Sequence, residues 1–433
     1  MKKINLLFDA SIIIQNINSK DICRSGIYFV AYNLLCCFAK NEIYNTILLV
    51  PSGTVFTDQS NLEKYLSSFP VISLPEEEDN RFKNNILVHL DHIIKSNNIF
   101  VISLRLLKIL KNIILMKISK RNNDSIDDID AYFTPIFAVP DIINKRKSIK
   151  IFHFLHDCIP ILESLSDHAN VTMSEWFSKV LKTINTKTYY FCNSECTKRD
   201  FLNELHGRLD KKKMIVTPLA TAQSFIPNYD KNTLKKTSEK YKVGQNPEEI
   251  YIFSLCNIDP RKNLIFTIKC FINFIKKHNI DNMCFYLGGA FYETYIKKFY
   301  EEIPLLKNYK DKVVLLGYID DEDLNILYSN SLFFTYISQY EGFGLPPLEA
   351  MQAGTPVITS NNSSLPEVVG DAAIKITYND ENACIKAFED LYFNEELRKE
   401  YIKKGIERAK LFSWDNTVKM MSDKIIKVLK YRS

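Results

Sequence analysis

The sequence predicts an α/β protein made of two doubly wound units, each an open parallel sheet wrapped by helices. Three observations point there. Short apolar strands alternate with helical stretches, and this alternation breaks off at a lysine-rich stretch and then restarts. Several strands end in polar residues, the edge along which an open parallel sheet builds its site. The chain, at 433 residues, is also too long for one ordinary core.

In the first half, strands are predicted at 4–8, 47–50, 151–155 and 189–192, with a glycine-bearing loop around 23–26 and a helix over 28–38. The last two strands run into His156-Asp157 and Asn193-Ser194-Glu195. Residues 228–249 are rich in lysine and lack apolar periodicity, so they read as the polar join. Strands resume at 250–255, 283–287, 313–316, 332–336 and 357–359, with a loop over 257–263 leading into a helix that ends near Lys276. A final helix over 414–430 carries Val418, Met421, Ile425 and Val428 on one face. The predicted domains are 1–222, 223–412 and the C-terminal helix 413–433, which is expected to cross back to the first domain.

Composition excludes several classes. A net charge of +5 over this length is too mild for a dedicated nucleic-acid binder. Ten cysteines include no Cys-x-x-Cys pair, and most sit in apolar runs, which argues for buried thiols in a reducing compartment over a disulfide framework or zinc site. The start of the chain has too little apolar length for a signal sequence, and no run reaches the roughly 20 apolar residues of a membrane span. The expected location is cytoplasmic.

Residues 340–354 are the most informative segment. They place Glu341 in a glycine-rich turn and Glu349 in the short helix that follows, between apolar strands on either side. Gly342 and Gly344 allow close backbone approach to a ligand. Pro346 and Pro347 suit a first helical turn, and Gly354 suits its end. A helix start beside a carboxylate fits a ligand with hydroxyls at one end and phosphates at the other.

The spacing of Glu341 and Glu349, together with Gly354-Thr355-Pro356-Val357-Ile358 and Ser364-Leu365-Pro366-Glu367-Val368, resembles the retaining glycosyltransferases of family 4. Asp259-Pro260-Arg261-Lys262-Asn263-Leu264, Gly317-Tyr318-Ile319 and Phe412-Ser413-Trp414 extend the likeness. Gly26-Ile27-Tyr28, His156-Asp157 and Asn193-Ser194-Glu195-Cys196-Thr197 fit a branch similar to O-antigen mannosyltransferases. The resemblance implies the GT-B fold, two Rossmann-like domains facing each other across a cleft.

It also implies roles. Arg261 and Lys262 would stabilise the departing diphosphate, one by a bidentate grip and the other as a point charge. Glu341 would bond hydroxyls of the donor sugar, aided by the backbone of Phe343, Gly344 and Leu345. Glu349 would accept from the ribose, while Tyr318 and Ile319 line the base pocket. Gly26 would let a loop approach the diphosphate. His156 would contact the donor sugar and Asp157 would orient the acceptor hydroxyl. No metal and no cofactor are expected: the donor is a GDP- or UDP-linked sugar, and the cations and helix terminus meet its charge. The implied reaction adds a hexose, with mannose from GDP-mannose a candidate, to a saccharide acceptor of a surface polysaccharide. A nucleotide-sugar epimerase of the same fold and a non-catalytic glycan-assembly partner are the alternatives.

The stretch 92–123 has no acidic residue but carries Lys95, Arg105, Lys108, Lys111, Lys117, Lys120 and Arg121, interleaved with Leu106, Leu107, Leu110, Ile113 and Ile114. It reads either as a helix packed on its own sheet or, through 105–121, as a peripheral contact with anionic lipid on the inner face of the plasma membrane. The second reading makes a lipid-linked acceptor the natural partner.

Overall fold

A computed structural model of the chain describes residues 2–18, 26–51, 54, 56, 60–74, 126–161, 171–221, 225–244, 246, 248–257, 259–289, 297 and 301–430. The basic stretch 105–121 lies outside the described residues. Two compact units emerge. The first comprises Met1–Cys192, Asp200–Thr217 and Trp414–Ser433; the second comprises Asn193–Arg199 and Pro218–Ser413.

The first unit runs β1 (Ile4–Asp9), α1 (Ser11–Asn18), α2 (Gly26–Lys40), β2 (Tyr44–Val50), α3 (Asn61–Ser67), β3 (Val71–Ser73), β4 (Ala131–Thr134), α4 (Asp141–Asn144), β5 (Lys150–Leu155), α5 (Val171–Thr183), β6 (Tyr189–Cys192), α6 (Glu195–Glu204) and β7 (Met214–Val216). The first residues of α6 count with the second unit and the rest with the first. The strands pair in parallel in the order β3-β2-β1-β4-β5-β6-β7. Register sorts the two faces. Phe8 pairs with Phe133 and Phe133 with Phe152, so aromatics line one face, where Phe8 and Phe133 stack at 5.3 Å and Phe38 of α2 lies 5.4 Å from Phe133. One residue further along, Thr134 pairs with His153, which puts polar side chains on the opposite face.

The second unit runs α7 (Lys231–Tyr241), β8 (Ile250–Leu255), α8 (Leu264–His278), β9 (Met283–Gly288), β10 (Val313–Gly317), α9 (Asp321–Ser329), β11 (Phe334–Tyr336), α10 (Leu345–Gln352), β12 (Val357–Ser360), α11 (Leu365–Val369), β13 (Ile374–Ile376), α12 (Glu381–Phe393) and α13 (Glu395–Ala409). Its strands, again parallel, take the order β10-β9-β8-β11-β12-β13. Phe271 and Phe274 of α8 and Phe388 of α12 close one face of this sheet together with Phe285 and Phe333. The last helix, α14 (Trp414–Lys430), returns to the first unit, where Trp414 meets Phe29 at 6.4 Å.

One expectation needs correction. The polar stretch 228–249 contains α7 and is no structureless join. Asp230 accepts from Thr233 N at 2.9 Å as an N-cap, and Lys240 reaches Asp320 and Asp323 at 2.6 and 2.5 Å. Capping and charge pairs hold this helix, so its sequence shows no apolar stripe to read. Cys158, Cys270, Cys284 and Cys384 are buried thiols outside any disulfide. Among the described residues no helix is long and apolar enough to cross a membrane.

Candidate functional site

In the six-stranded sheet the strand order reverses between β8 and β11, which are neighbours although β9 and β10 separate them in sequence. Open parallel sheets bind ligands beyond the carboxyl ends of such a strand pair. The segments leaving these two strands carry Arg261, Lys262 and Glu341. After β8, Asp259 accepts from Arg261 N at 2.9 Å and caps a single 3-10 turn, Pro260–Lys262, which projects the two cations. After β11, the chain is tied to that turn: Gln339 N and Ser338 Oγ both donate to Arg261 O, at 2.8 and 3.1 Å.

The three charges then converge on one oxygen. Lys262 Nζ lies 2.7 Å from Glu341 Oε1 and Arg261 donates to it at 3.1 Å. Tyr336 OH donates to the same oxygen at 3.0 Å and takes a 2.6 Å bond from Lys262. Glu341 is 8% exposed. Burial pushes its carboxyl up, yet Lys262 and Arg261 outweigh burial and hold it below the usual carboxylate range. It is therefore ionised at neutral pH. Asp259 Oδ2 also lies 3.5 Å from Arg261 Nη2, so the two cations stand against two carboxylates. Two largely enclosed cations beside a carboxylate suit a ligand that carries an anion and hydroxyls together.

The turn after Glu341 is shaped by Gly344, at φ +117°, where an added Cβ would stand 2.8 Å from Leu365 Cδ2. Gly344 precedes α10, with Pro346 and Pro347 in its first turn as the sequence predicts, and Ala353-Gly354 follow its end. Phe343 is buried against Phe412, so its contribution to a ligand would come from the backbone. Leu345 is half-buried.

Glu349 carries a partner that sequence reading missed. Tyr328 OH of α9 donates to its Oε2 at 2.9 Å. Glu349 is half-buried, and with this partner its position does not by itself require a ligand. Burial lifts its carboxyl to about 7, against the Tyr328 hydrogen bond, with Asp321 adding to the rise. Ile319 is 3% exposed and packs on Gly288, so only its backbone could line a base pocket, whereas Tyr318 is 44% exposed.

Gly26, His156 and Asp157 belong to the first unit. Gly26 opens α2, and a Cβ there would meet no described atom within 4 Å; packing does not demand glycine at this position. His156 Nε2 lies 2.8 Å from Pro135 O, a carbonyl that can only accept, so Nε2 carries the proton and Nδ1 is the ring's acceptor. Burial holds its pKa down near 4, and the ring is neutral. Asp157 accepts from Ile159 N at 3.0 Å. Two groups that the sequence did not single out lie nearby in the fold. Asp9, at the end of β1, accepts from Tyr132 OH at 3.0 Å and Ser11 N at 3.1 Å, and His153 of β5 is fully enclosed. Both are polar residues at strand positions whose neighbours are apolar, which is the signal that could have found them.

Residues 235–408 match the family model described as "Glycosyl transferases group 1". That segment is similar to the glycosyl transferases of group 1. The matched segment contains Arg261, Lys262, Glu341 and Glu349. The chain is 32% identical over 204 residues to O-antigen chain mannosyltransferase B of Escherichia coli, covering 47% of this chain and 52% of that protein. It is 24% identical over 278 residues to the serotype-specific mannosyltransferase WbdA of Escherichia coli, covering 63% of this chain and 33% of WbdA. The chain thus spans 33 to 52% of the length of these curated relatives. In structure, it is similar to sucrose-phosphate synthase of Thermosynechococcus elongatus, with a TM-score of 0.66 at 15% identity over the whole of both chains. The fold is GT-B.

Proposed function

We propose that the protein is a retaining glycosyltransferase that moves a hexose from a nucleotide sugar to a saccharide acceptor. The observation that carries this reading is the convergence of Arg261, Lys262 and Glu341 beyond the β8–β11 switch point. Glycosyl transfer breaks the anomeric C–O bond, leaving positive charge on the sugar and negative charge on the departing diphosphate. Lys262 and Arg261 meet the second charge, and Glu341 bonds the donor hydroxyls while balancing the first. The bond to the acceptor oxygen forms on the face the diphosphate leaves, and the acceptor proton passes to a diphosphate oxygen. His156 and Asp157 orient sugar and acceptor, and Gly26 gives the diphosphate room. Glu349 accepts from the ribose alongside Tyr328.

Arg261 and Lys262 supply the charge that a metal would otherwise bring, so the reaction is proposed to need no resident ion and no cofactor. Mannose from GDP-mannose is the favoured donor, because the similar curated proteins are O-antigen and serotype-specific mannosyltransferases. A lipid-linked saccharide of a growing surface polysaccharide is the proposed acceptor, met at the cytoplasmic face of the membrane through 105–121. A thermal-shift screen of GDP- and UDP-sugars tests the donor. A ligand present at a hundredfold excess over Kd adds about 2.7 kcal/mol to stability. A rise in Tm with GDP-mannose supports the reading; no rise with any nucleotide sugar contradicts it.

A further inference from the structure

Two motifs singled out in the sequence, Asn193-Ser194-Glu195-Cys196-Thr197 and Ser364-Leu365-Pro366-Glu367-Val368, have no part in the chemistry above. Both meet at the turn that carries Glu341. Three successive carbonyls of that turn are taken by side-chain hydroxyls. Ser364 Oγ lies 2.8 Å from Glu341 O and 2.7 Å from Phe343 O, sharing its single proton between them. Between these, Gly342 O accepts from Ser194 Oγ at 2.8 Å and from Thr197 Oγ1 at 3.2 Å. Glu341 N in turn donates to Ser363 Oγ at 3.0 Å. Ser194, Thr197 and Ser364 are all buried, so water cannot replace them.

The donors on Gly342 are themselves fixed. Thr197 N donates to Ser194 Oγ at 3.0 Å, which sets that hydroxyl's orientation. The first two amides of α6, Glu195 N and Cys196 N, donate to the two oxygens of Glu367 at 2.7 and 2.8 Å. A carboxylate gripping two helix-start amides is a strong, directional cap. Glu367 is anchored from behind by Arg408, which donates to Glu367 O at 2.6 Å and Val368 O at 2.9 Å. All these residues belong to the second unit.

We propose that Ser194, Thr197 and Glu367 are positioning residues that fix the backbone of the Glu341–Gly344 turn, and through it the aim of Glu341, for sugar transfer. The inference rests on the reading of the site as a glycosyltransferase centre. Without the two hydroxyls the buried Gly342 carbonyl has no donor among the described residues, the turn shifts to find one, and Glu341 leaves its aligned position. Misplacement on the scale of an ångström costs up to about a hundredfold in rate.

The test compares Ser194→Ala/Thr197→Val with the hydroxyl-retaining pair Ser194→Thr/Thr197→Ser, and Glu367→Ala with wild type. With GDP-mannose as donor, the first and third should lose about tenfold or more in kcat with KM for the donor changed less than about threefold; the hydroxyl-retaining pair should stay within about threefold of wild type. Hydrogen exchange reads the same inference without turnover. Amides of residues 341–344 should exchange faster in Ser194→Ala/Thr197→Val than in wild type, and at wild-type rates in the hydroxyl-retaining pair. If the double variant does not fold, Ser194→Ala alone carries both measurements. Unchanged exchange with unchanged kcat overturns the positioning role, as does equal loss in the hydroxyl-retaining pair. Faster exchange in the double variant, with a wild type that transfers no sugar, would instead overturn the glycosyltransferase reading and leave the pinned turn standing.

Discussion

Lys262 Nζ and Glu341 Oε1 lie 2.7 Å apart in a buried pair that Arg261 and Tyr336 complete. A pair this enclosed holds both partners in place before any ligand arrives, so the cost of ordering two long side chains is met in folding. It also makes each partner hard to remove. Lys262→Ala and Glu341→Ala should each lower transfer by about two orders of magnitude. Lys262→Ala should cost about 2 kcal/mol of stability from the lost charged hydrogen bond, read by urea unfolding. Near-wild-type turnover in either variant would remove that residue from the mechanism.

Glu349 gives a pH dependence of definite sign. Its carboxyl sits near 7 in the folded protein against an ordinary 4.5, so between these values the folded state holds a proton that the unfolded state has released. Its contribution to stability therefore falls as pH rises through that window. Glu349→Gln should raise Tm at pH 8 and leave it nearly unchanged at pH 4.5. Equal Tm for both proteins at pH 8 would contradict this.

The first unit behaves in the opposite way. Burial holds His153 and His156 near 4 against an ordinary 6.5, so the unfolded chain takes up protons first as pH falls. Their contribution to stability is present above pH 6.5 and is lost as pH drops towards 4. A Tm series from pH 7 to 4 should show this decline, and His153→Phe should flatten it. A series of the same slope in the variant would assign the acid sensitivity elsewhere.

Gly289 packs against the segment that leaves β8. At φ +140°, it brings its Cα so close to β8 that an added Cβ would stand 2.1 Å from Cys256 O. Gly289→Ala must therefore move backbone, and should destabilise by about 2 kcal/mol or more in a urea titration. A loss below about half a kcal/mol would show that the strand ends have room to give.

The parts legible in the sequence were those with a strong local period or a distinctive spacing. Tyr189–Cys192 is apolar throughout and Ile250–Leu255 is apolar but for Ser254, and the bounds of both are legible to the residue. Val71–Ser73, Ala131–Thr134 and Met214–Val216 are short and lie between nearby prolines or charged residues, and Ile374–Ile376 is split by Lys375, so none stands out as an apolar run. Helix Lys231–Tyr241 was hidden because charge pairs attach it where an apolar stripe would be expected. In the site, Glu341, Lys262 and Arg261 stood out through their glycine- and proline-rich surroundings. Tyr336 and Tyr328 did not, because a tyrosine within an apolar run looks like core until its hydroxyl is seen to reach a carboxylate. Ser194 and Glu367 were visible as motif members, but their meeting at the Glu341–Gly344 turn is long-range and has no local trace.

Nucleoside diphosphate release from GDP-mannose, measured with a mannose-terminated oligosaccharide as acceptor, tests the whole assignment. Wild type should release GDP only when acceptor is present, form a glycoside with the anomeric configuration of the donor, and lose about a hundredfold in rate with Lys262→Ala. GDP-mannose and UDP-sugars left intact across a panel of saccharide acceptors, or release at the wild-type rate by Lys262→Ala, would contradict it.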